Sequence, residues 1–583
     1  MVQRVKVKGN KEFLTLQLDK VISLEGTNIY KRWILRKESE QFFQETLEED
    51  KLLLKSYYQK EGFLDFKYDS VVVIPATSKE KVKVVFYLNE GSFYRIGKIN
   101  IVVNDNKSVE DFFKGVSLRT KLFNLQGKEG NRFTDEVVYA DQNEIVKWFS
   151  DKGYPYTSIK TDVTLAPDSL RAHVTYFVKT GPLSYFGNVE ITGNAKIPKR
   201  IIEKQILFKE GTVYQRDMAE ETQKRIVDLG AYRVVTISPV LSLEQKDTVP
   251  MRILVREAPR LTSRFGIGYG KEEHLRAFVK IQKIGVFGGA RRAEFNARTS
   301  YLEPYNLSIR FTQPGFIYPL TSLIVYPYLI KQNEPSYELT KAGGAVGLYK
   351  TFTKDLIGST GFSYEYVKLD TTSVAELPSE ELLSNYTKSG PVAGLIFDNS
   401  MPKFDPSKGF VSTISTKLNG LFLKQDYPLY KFNVELKGFT VPYRKWVLAS
   451  KIQVGSLQMT NGATISPVEE RFFSGGVGSV RGWPRQELGP KDADGVPQGG
   501  NSIFEGSAEI RVPLVSTLRF VTFFDGGNVW EEAYGWKLND LRFSWGAGLR
   551  ISSPIGPIGF DFARPIFDEE NTWQFLINIG PGF

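Results

Sequence analysis

The sequence predicts α+β modules followed by an all-β transmembrane barrel of about 16 antiparallel strands, and three observations predict it. The texture changes near residue 258: helix-like stretches alternate with short strands before it, and almost nothing after Pro259 reads as helix. The first part repeats itself three times. The second part alternates apolar and polar residues at period two and is rich in Gly, Tyr and Phe, in a chain that is 13% aromatic. At roughly 20 residues per strand and turn, residues 259–583 make about 16 strands.

The repeats come first in chain order. The strand-like Val5-Lys6-Val7-Lys8-Gly9-Asn10 recurs as Ile99-Asn100-Ile101-Val102-Val103-Asn104 and as Val189-Glu190-Ile191-Thr192-Gly193-Asn194. Helical stretches follow at Trp33 to Tyr58, Asp135 to Phe149 and Arg216 to Leu229. Each ends in a glycine with an aromatic after it: Gly62-Phe63, Gly153-Tyr154 and Gly230-Ala231-Tyr232. Glycine stops a helix in the left-handed conformation, and the aromatic is expected to open the next strand on the core side. Linkers are expected at Glu90-Gly91-Ser92 and Thr180-Gly181-Pro182. The expected domains are therefore three β-α-α-β-β modules at 1–91, 92–180 and 181–258, then a barrel at 259–583.

The barrel stretch is regular enough to assign faces. Tyr430, Phe432, Val434 and Leu436 point one way, and Lys431, Asn433 and Glu435 the other. In the last strand Trp573, Phe575, Ile577, Ile579 and Phe583 share a face opposite Gln574 and Asn578. A soluble sandwich also alternates, but its outer face is charged and its strands are fewer. No run reaches the roughly 20 apolar residues of a spanning helix; Leu320 to Ile330 is broken by Thr321, Ser322 and Pro327. A closed barrel needs no such run. The N-terminal Met1 to Lys6 lacks the apolar segment of a signal peptide, so an exported protein would have lost its signal here.

Composition removes most chemistry. With Cys 0 and His 2 there is no thiolate nucleophile, disulfide or Cys/His zinc site. His173 and His274 lie far apart without a neighbouring motif and read as ordinary strand or surface residues. The Gly-rich Phe287-Gly288-Gly289 and Gly475-Gly476 lack a phosphate-loop lysine, and no nucleophile elbow is present. The expectation is a protein that is not an enzyme and holds no cofactor and no metal. A net charge of +10 is too dilute for a nucleic-acid binder.

Arg471-Phe472-Phe473-Ser474-Gly475-Gly476, continuing to Ser479-Val480-Arg481-Gly482-Trp483, resembles the loop-6 signature of the outer-membrane insertase and two-partner secretion superfamily that includes BamA and TamA. That family's Val-Arg-Gly is followed by Phe or Tyr, where Trp483 stands here. The modules are similar to POTRA domains. Tyr301-Leu302-Glu303-Pro304, Phe311-Thr312-Gln313-Pro314, Asp398-Asn399 with Pro406-Ser407-Lys408-Gly409, and Ser553 to Ile558 resemble further barrel elements. The resemblance implies a loop 6 folded inward around 471–500. Glycines ahead of Arg481 permit the reversal, and a cation in a partly dehydrated lumen needs acidic partners. Glu509 and Asp525 stand at positions that match the family pattern, and Arg forks onto two acceptors where Lys does not.

The resemblance also implies a function. Such proteins sit in an outer membrane with the modules in the periplasm, and a chloroplast envelope is the alternative setting. They help unfolded β-barrel clients into lipid through a weak seam between the first and last barrel strands. Here that last strand carries Phe575, Ile577, Ile579, Pro581 and Phe583, and a proline near its end removes a ladder donor. Three modules bring the resemblance nearer to TamA than to BamA and imply a TamB-like periplasmic partner, besides membrane lipids. A two-partner secretion pore is the competing reading, although its plug helix is not visible. A passive porin-like channel explains the barrel but not the modules.

Overall fold

The computed structural model describes residues 1–583 except 14, 25, 27–40, 77–80, 104–122, 371–383, 404, 423–424, 444–445, 464–465, 516, 554–555, 568–571 and 580–583. Three small sheets come first. The first holds β1 (Val2–Lys8), β2 (Lys67–Pro75) and β3 (Val82–Asn89) in the order β1-β3-β2. The second repeats this with β4 (Arg95–Val103), β5 (Ser158–Ala166) and β6 (Arg171–Lys179), and the third with β7 (Tyr185–Thr192), β8 (Tyr232–Pro239) and β9 (Thr248–Glu257). In each, the first strand runs parallel to the last. A helix intervenes each time: Gln44–Lys60, Asp135–Asp151 and Arg216–Asp228.

The repetition extends to side chains that hold the backbone. Asp50 accepts the N–H groups of Ser23 and Leu24 at 2.7 and 3.0 Å, and Asp141 those of Gln126 and Gly127 at 2.7 and 3.2 Å. Thr222 does the same for Leu207 at 3.1 Å. Each lies on the long helix and satisfies a loop that would otherwise bury unpaired donors. Glu90 accepts from Lys11 and Glu12 at 2.9 and 3.1 Å. Glu257 accepts from Ala195, Lys196 and Ile197 at 2.9, 2.7 and 2.8 Å. These loops begin at Gly9 (φ 91°) and Gly193 (φ 87°), where a side chain would collide with the carbonyls of Leu88 and Val255. The recurring glycine is thus a steric requirement.

Two details differ from the sequence reading. The first module's helix is Gln44–Lys60, while Trp33 lies outside the described residues. Gly62, Gly153 and Gly230 do take positive φ, but Phe63 and Tyr154 stay in the turn and strands begin only at Lys67 and Ser158. Those rings pack between helix and sheet, as Phe63 does against Tyr58 at 5.7 Å. Tyr232 alone opens its strand.

The remaining strands form one 16-stranded antiparallel meander. They are β10 (Leu261–Gly270), β11 (His274–Ile284), β12 (Arg292–Thr299), β13 (Tyr305–Pro314), β14 (Thr321–Glu334), β15 (Tyr337–Thr351), β16 (Leu356–Asp370) and β17 (Asn385–Asp398), followed by β18 (Gly409–Leu418), β19 (Leu429–Tyr443) and β20 (Trp446–Met459). After a long connection come β21 (Ser502–Val515), β22 (Leu518–Trp530), β23 (Arg542–Ser553), β24 (Gly556–Ile566) and β25 (Gln574–Ile579). Every strand pairs with its neighbour in sequence, and β10 and β25 approach each other to make the barrel nearly closed. Burial is inverted relative to a soluble domain. Glu509 and Asp525 are 0% exposed, whereas Phe524 is 47% and Phe562 52% exposed. Apolar side chains outward and charges inward suit a wall solvated by lipid. Among the described residues no helix is long and apolar enough to cross a membrane.

By packing, the chain separates into two compact units: 1–192 with 206–223 and 236–254, and 255–583 with 193–205 and 224–235. Within the second unit, Arg292 donates to the Leu229 carbonyl at 3.4 Å and Thr351 to Asp228 at 3.3 Å.

Candidate functional site

The connection between β20 and β21 turns back into the lumen. Gly475, Gly476 and Gly478 take φ of 103°, 92° and 85°, a left-handed run that side chains oppose and that reverses the chain just ahead of Arg481. Val468 and Phe472 sink into an apolar cluster with Leu339, Leu429, Leu457 and Ile503 on the wall. Val480, Trp483 and Leu488 form a small core of their own. The glycine of the motif is needed as well, since a side chain on Gly482 would strike Ser544 and the backbone of β24.

Arg481 is 5% exposed and fully engaged. Its Nε and Nη2 fork onto Asp525 at 2.7 and 2.8 Å, its Nη1 reaches Glu509 at 2.9 Å, and its backbone N–H also donates to Asp525 at 3.2 Å. The guanidinium lies on the Phe523 ring, 3.3 Å from the centroid. Ser507, Glu509 and Arg511 alternate along β21, as Phe523 and Asp525 do along β22, so the strand period aims them all inward. The cluster extends further. Arg511 pairs with Glu509 at 2.7 Å, Arg550 on β23 grips Asp561 on β24 at 2.8 Å, and Asp561 stands 3.7 Å from Arg481. Three arginines face three carboxylates. Every buried charge here has an opposite neighbour, which such a site requires to be stable.

The loop is held a second time at its start. Glu469 and Glu470 accept from Lys388 on β17, both at 2.6 Å, and Lys388 is 1% exposed. Lys417 on β18 adds 2.8 Å to Glu470, and Lys431 on β19 donates to the Glu470 carbonyl at 2.6 Å. Tyr386 donates to Glu469 at 2.6 Å.

The seam is the other feature of interest. Among the described residues no backbone ladder joins β10 to β25. On β10, Phe265 and Ile267 are 84% and 86% exposed, and no described strand pairs along their free flank. On β25, Phe575 and Ile577 face outward and Leu576 inward, and Phe575 packs on Phe562 with centroids 4.8 Å apart. Ile579 pairs through its backbone with Ile558. Pro581 and Phe583 lie outside the described residues.

Comparison with known proteins agrees with this architecture. The profile of the Omp85 superfamily domain matches residues 286–583. The chain belongs to the Omp85 superfamily. The POTRA profile, described as a surface antigen variable number repeat, matches residues 1–91 and 184–258. Outer membrane protein assembly factor BamA of Neisseria meningitidis is 23% identical over 633 residues, covering 99% of this chain and 78% of that protein. BamA of Neorickettsia risticii is 23% identical over 604 residues, covering all of this chain and 77% of its own. Among solved structures, BamA from Haemophilus ducreyi lacking POTRA domains 1–3 superposes with a TM-score of 0.61 at 21% identity, over 84% of this chain and all of that one.

For this Omp85 protein the structure brings Val480, Arg481, Gly482 and Trp483 together with Glu509 and Asp525. Trp483 is 1% exposed, and its indole N–H has no hydrogen-bond partner among the described residues. Sequence reasoning missed Asp561 and Arg550 and the whole Lys388 anchor. Glu469-Glu470 at the head of the loop, with Lys417 and Lys431 at inward positions, was the available signal for the latter.

Proposed function

We propose that this Omp85 protein is an outer-membrane assembly factor. Its barrel sits in the outer membrane, its modules extend into the periplasm, and unfolded β-barrel clients enter lipid along the seam between β10 and β25. The observation that carries the proposal is that no backbone ladder closes that seam among the described residues. An unpaired strand edge at membrane depth is costly, because lipid offers its N–H and C=O groups no partners. A client strand satisfies them by adding to the sheet. The names of the matched relatives support the same reading. Residues 471–500 act in it as an inward clasp, with Arg481 fastened to Glu509 and Asp525. The modules at 1–91, 92–180 and 181–258 serve as docking platforms for clients or subunits. A TamA-like assignment with a large TamB-like partner rests on the module count alone, whereas the relatives above are BamA proteins.

The test is to seal the seam. The native chain has no cysteine, so a cysteine pair on β10 and β25 forms only the intended crosslink, provided the two Cα atoms lie within about 7 Å. In proteoliposomes supplied with an unfolded barrel client, the oxidised form should lose insertion activity and reduction should restore it. Full activity of the quantitatively crosslinked form defeats the seam mechanism and favours a pore that works through its lumen.

A further inference from the structure

The lumenal loop touches the barrel on both flanks of the seam. On the late flank Arg481 and Gly482 engage β22, β23 and β24. On the early flank the contact is Glu272, in the turn between β10 and β11. Its Oε1 accepts the Val477 backbone N–H at 3.1 Å, and its Oε2 faces Arg485 Nη1 at 3.4 Å. Arg485 is itself steadied by a bidentate pair with Glu334, at 2.9 and 3.0 Å, at the end of β14. Gly476 is what admits the carboxylate: a Cβ there would stand 2.7 Å from Glu272 Oε1.

We infer that Glu272 is a positioning residue that ties the first barrel hairpin to the lumenal loop, so that the loop is a strap spanning the seam from inside. The inference rests on the seam being the working part of the protein. An ordinary surface ion pair contributes little. This contact differs in kind, because the same carboxylate satisfies a backbone donor of a loop fixed on the opposite flank. Swinging β10 and β11 away from β25 must break it, whereas motion of any other hairpin need not. The strap therefore sets how readily the first hairpin leaves, without entering the path a client would take.

The experiment measures distance on the full chain in nanodiscs, with no client present. Spin labels go on Lys271→Cys, in the hairpin turn, and Thr572→Cys, beside β25; both positions are exposed. The unsubstituted parent should give one dominant distance. Glu272→Ala should add a longer one, its population raised about tenfold, the effect of losing a hydrogen bond to a charged group. Glu272→Gln should raise it less, since the amide oxygen still accepts from Val477. Glu273→Gln removes the same charge one residue along, where the carboxylate serves Arg276 and Arg298 instead, and should leave the distribution unchanged. A parent-like distribution in Glu272→Ala, or an equal response to Glu273→Gln, overturns the inference. Either result leaves the seam mechanism standing, whereas an active crosslinked seam would sink that mechanism while leaving the spin-label distances unchanged.

Discussion

Arg481 is the residue on which the lumenal cluster turns. Its removal does not affect its two acids equally, because Glu509 keeps Arg511 at 2.7 Å and Arg550 at 3.7 Å. Asp525 retains only weaker company, chiefly the Ser507 hydroxyl. Arg481→Ala should therefore destabilise the barrel by about 3 kcal/mol through one orphaned carboxylate, seen as a lower temperature of heat-modifiable migration. Arg481→Lys should recover only part, since an ammonium cannot fork onto Asp525 and reach Glu509 together. An unchanged transition in Arg481→Ala would show that the fork contributes nothing. The triad was legible in the sequence because Val480-Arg481-Gly482, Glu509 and Asp525 stand at positions that match the family pattern, and strand alternation then fixed the face of Glu509. Asp561 and Arg550 were not, because their partnership depends on the register of β23 against β24, which sets Asp561 opposite Gly548 and Arg550 opposite Gly559. Lys388 was hidden for a different reason: a lone lysine in a strand reads as solvated until a carboxylate is brought to it from a loop some 80 positions away.

At the level of the element, the modules are held by carboxylates that cap backbone loops. Burial works against the charge of Glu257, but three N–H donors and nearby Arg260 outweigh it and hold the carboxyl below its usual range. The sign follows. A carboxylate with a depressed folded-state value stabilises above its unfolded value, about 4.3, and the stabilisation is lost as pH falls through the folded value. Protection of the Ala195, Lys196 and Ile197 amides from hydrogen exchange should hold at pH 6 and fall below about pH 4. In Glu257→Gln, whose amide oxygen is a weaker acceptor, it should be lower at pH 6 and independent of pH; equal protection in the two proteins at every pH would refute the capping role. The sequence showed the repeat through Gly9-Asn10 and Gly193-Asn194 but not its cause, since the capping Glu90 and Glu257 lie a whole module downstream. The C-terminal ends of the three helices were legible to within about two residues from apolar spacing, but the first helix starts at Gln44 where the spacing suggested Trp33. The turn after Gly62 and Gly153 was not, because packing a ring between helix and sheet outweighed its preference for a strand.

For the whole molecule, the strand number followed from chain length and period-two alternation, whereas a weak seam between the first and last strands was expected only from the resemblance and from Pro581, because it is a property of two strands at opposite ends of the barrel. The fragment 259–583 should fold in detergent as a barrel, and solubility as a monomer in water would refute the membrane reading. It lacks Asp228 and Leu229, the partners of Thr351 and Arg292, so it should unfold in urea at a midpoint slightly below that of the full chain. The doubly anchored loop has a further consequence for biogenesis. Its first anchor binds β17 to β19, synthesised before it, and its second binds β22 to β24, synthesised after it. Hairpins between sequence neighbours are local and quick to zip, whereas joining β10 to β25 closes the longest span in the barrel and is correspondingly slow. The loop is thus seated between two half-built walls before the ring is complete. The last junction made during maturation is the one for which the described residues show no ladder, and that makes it the first to yield under load.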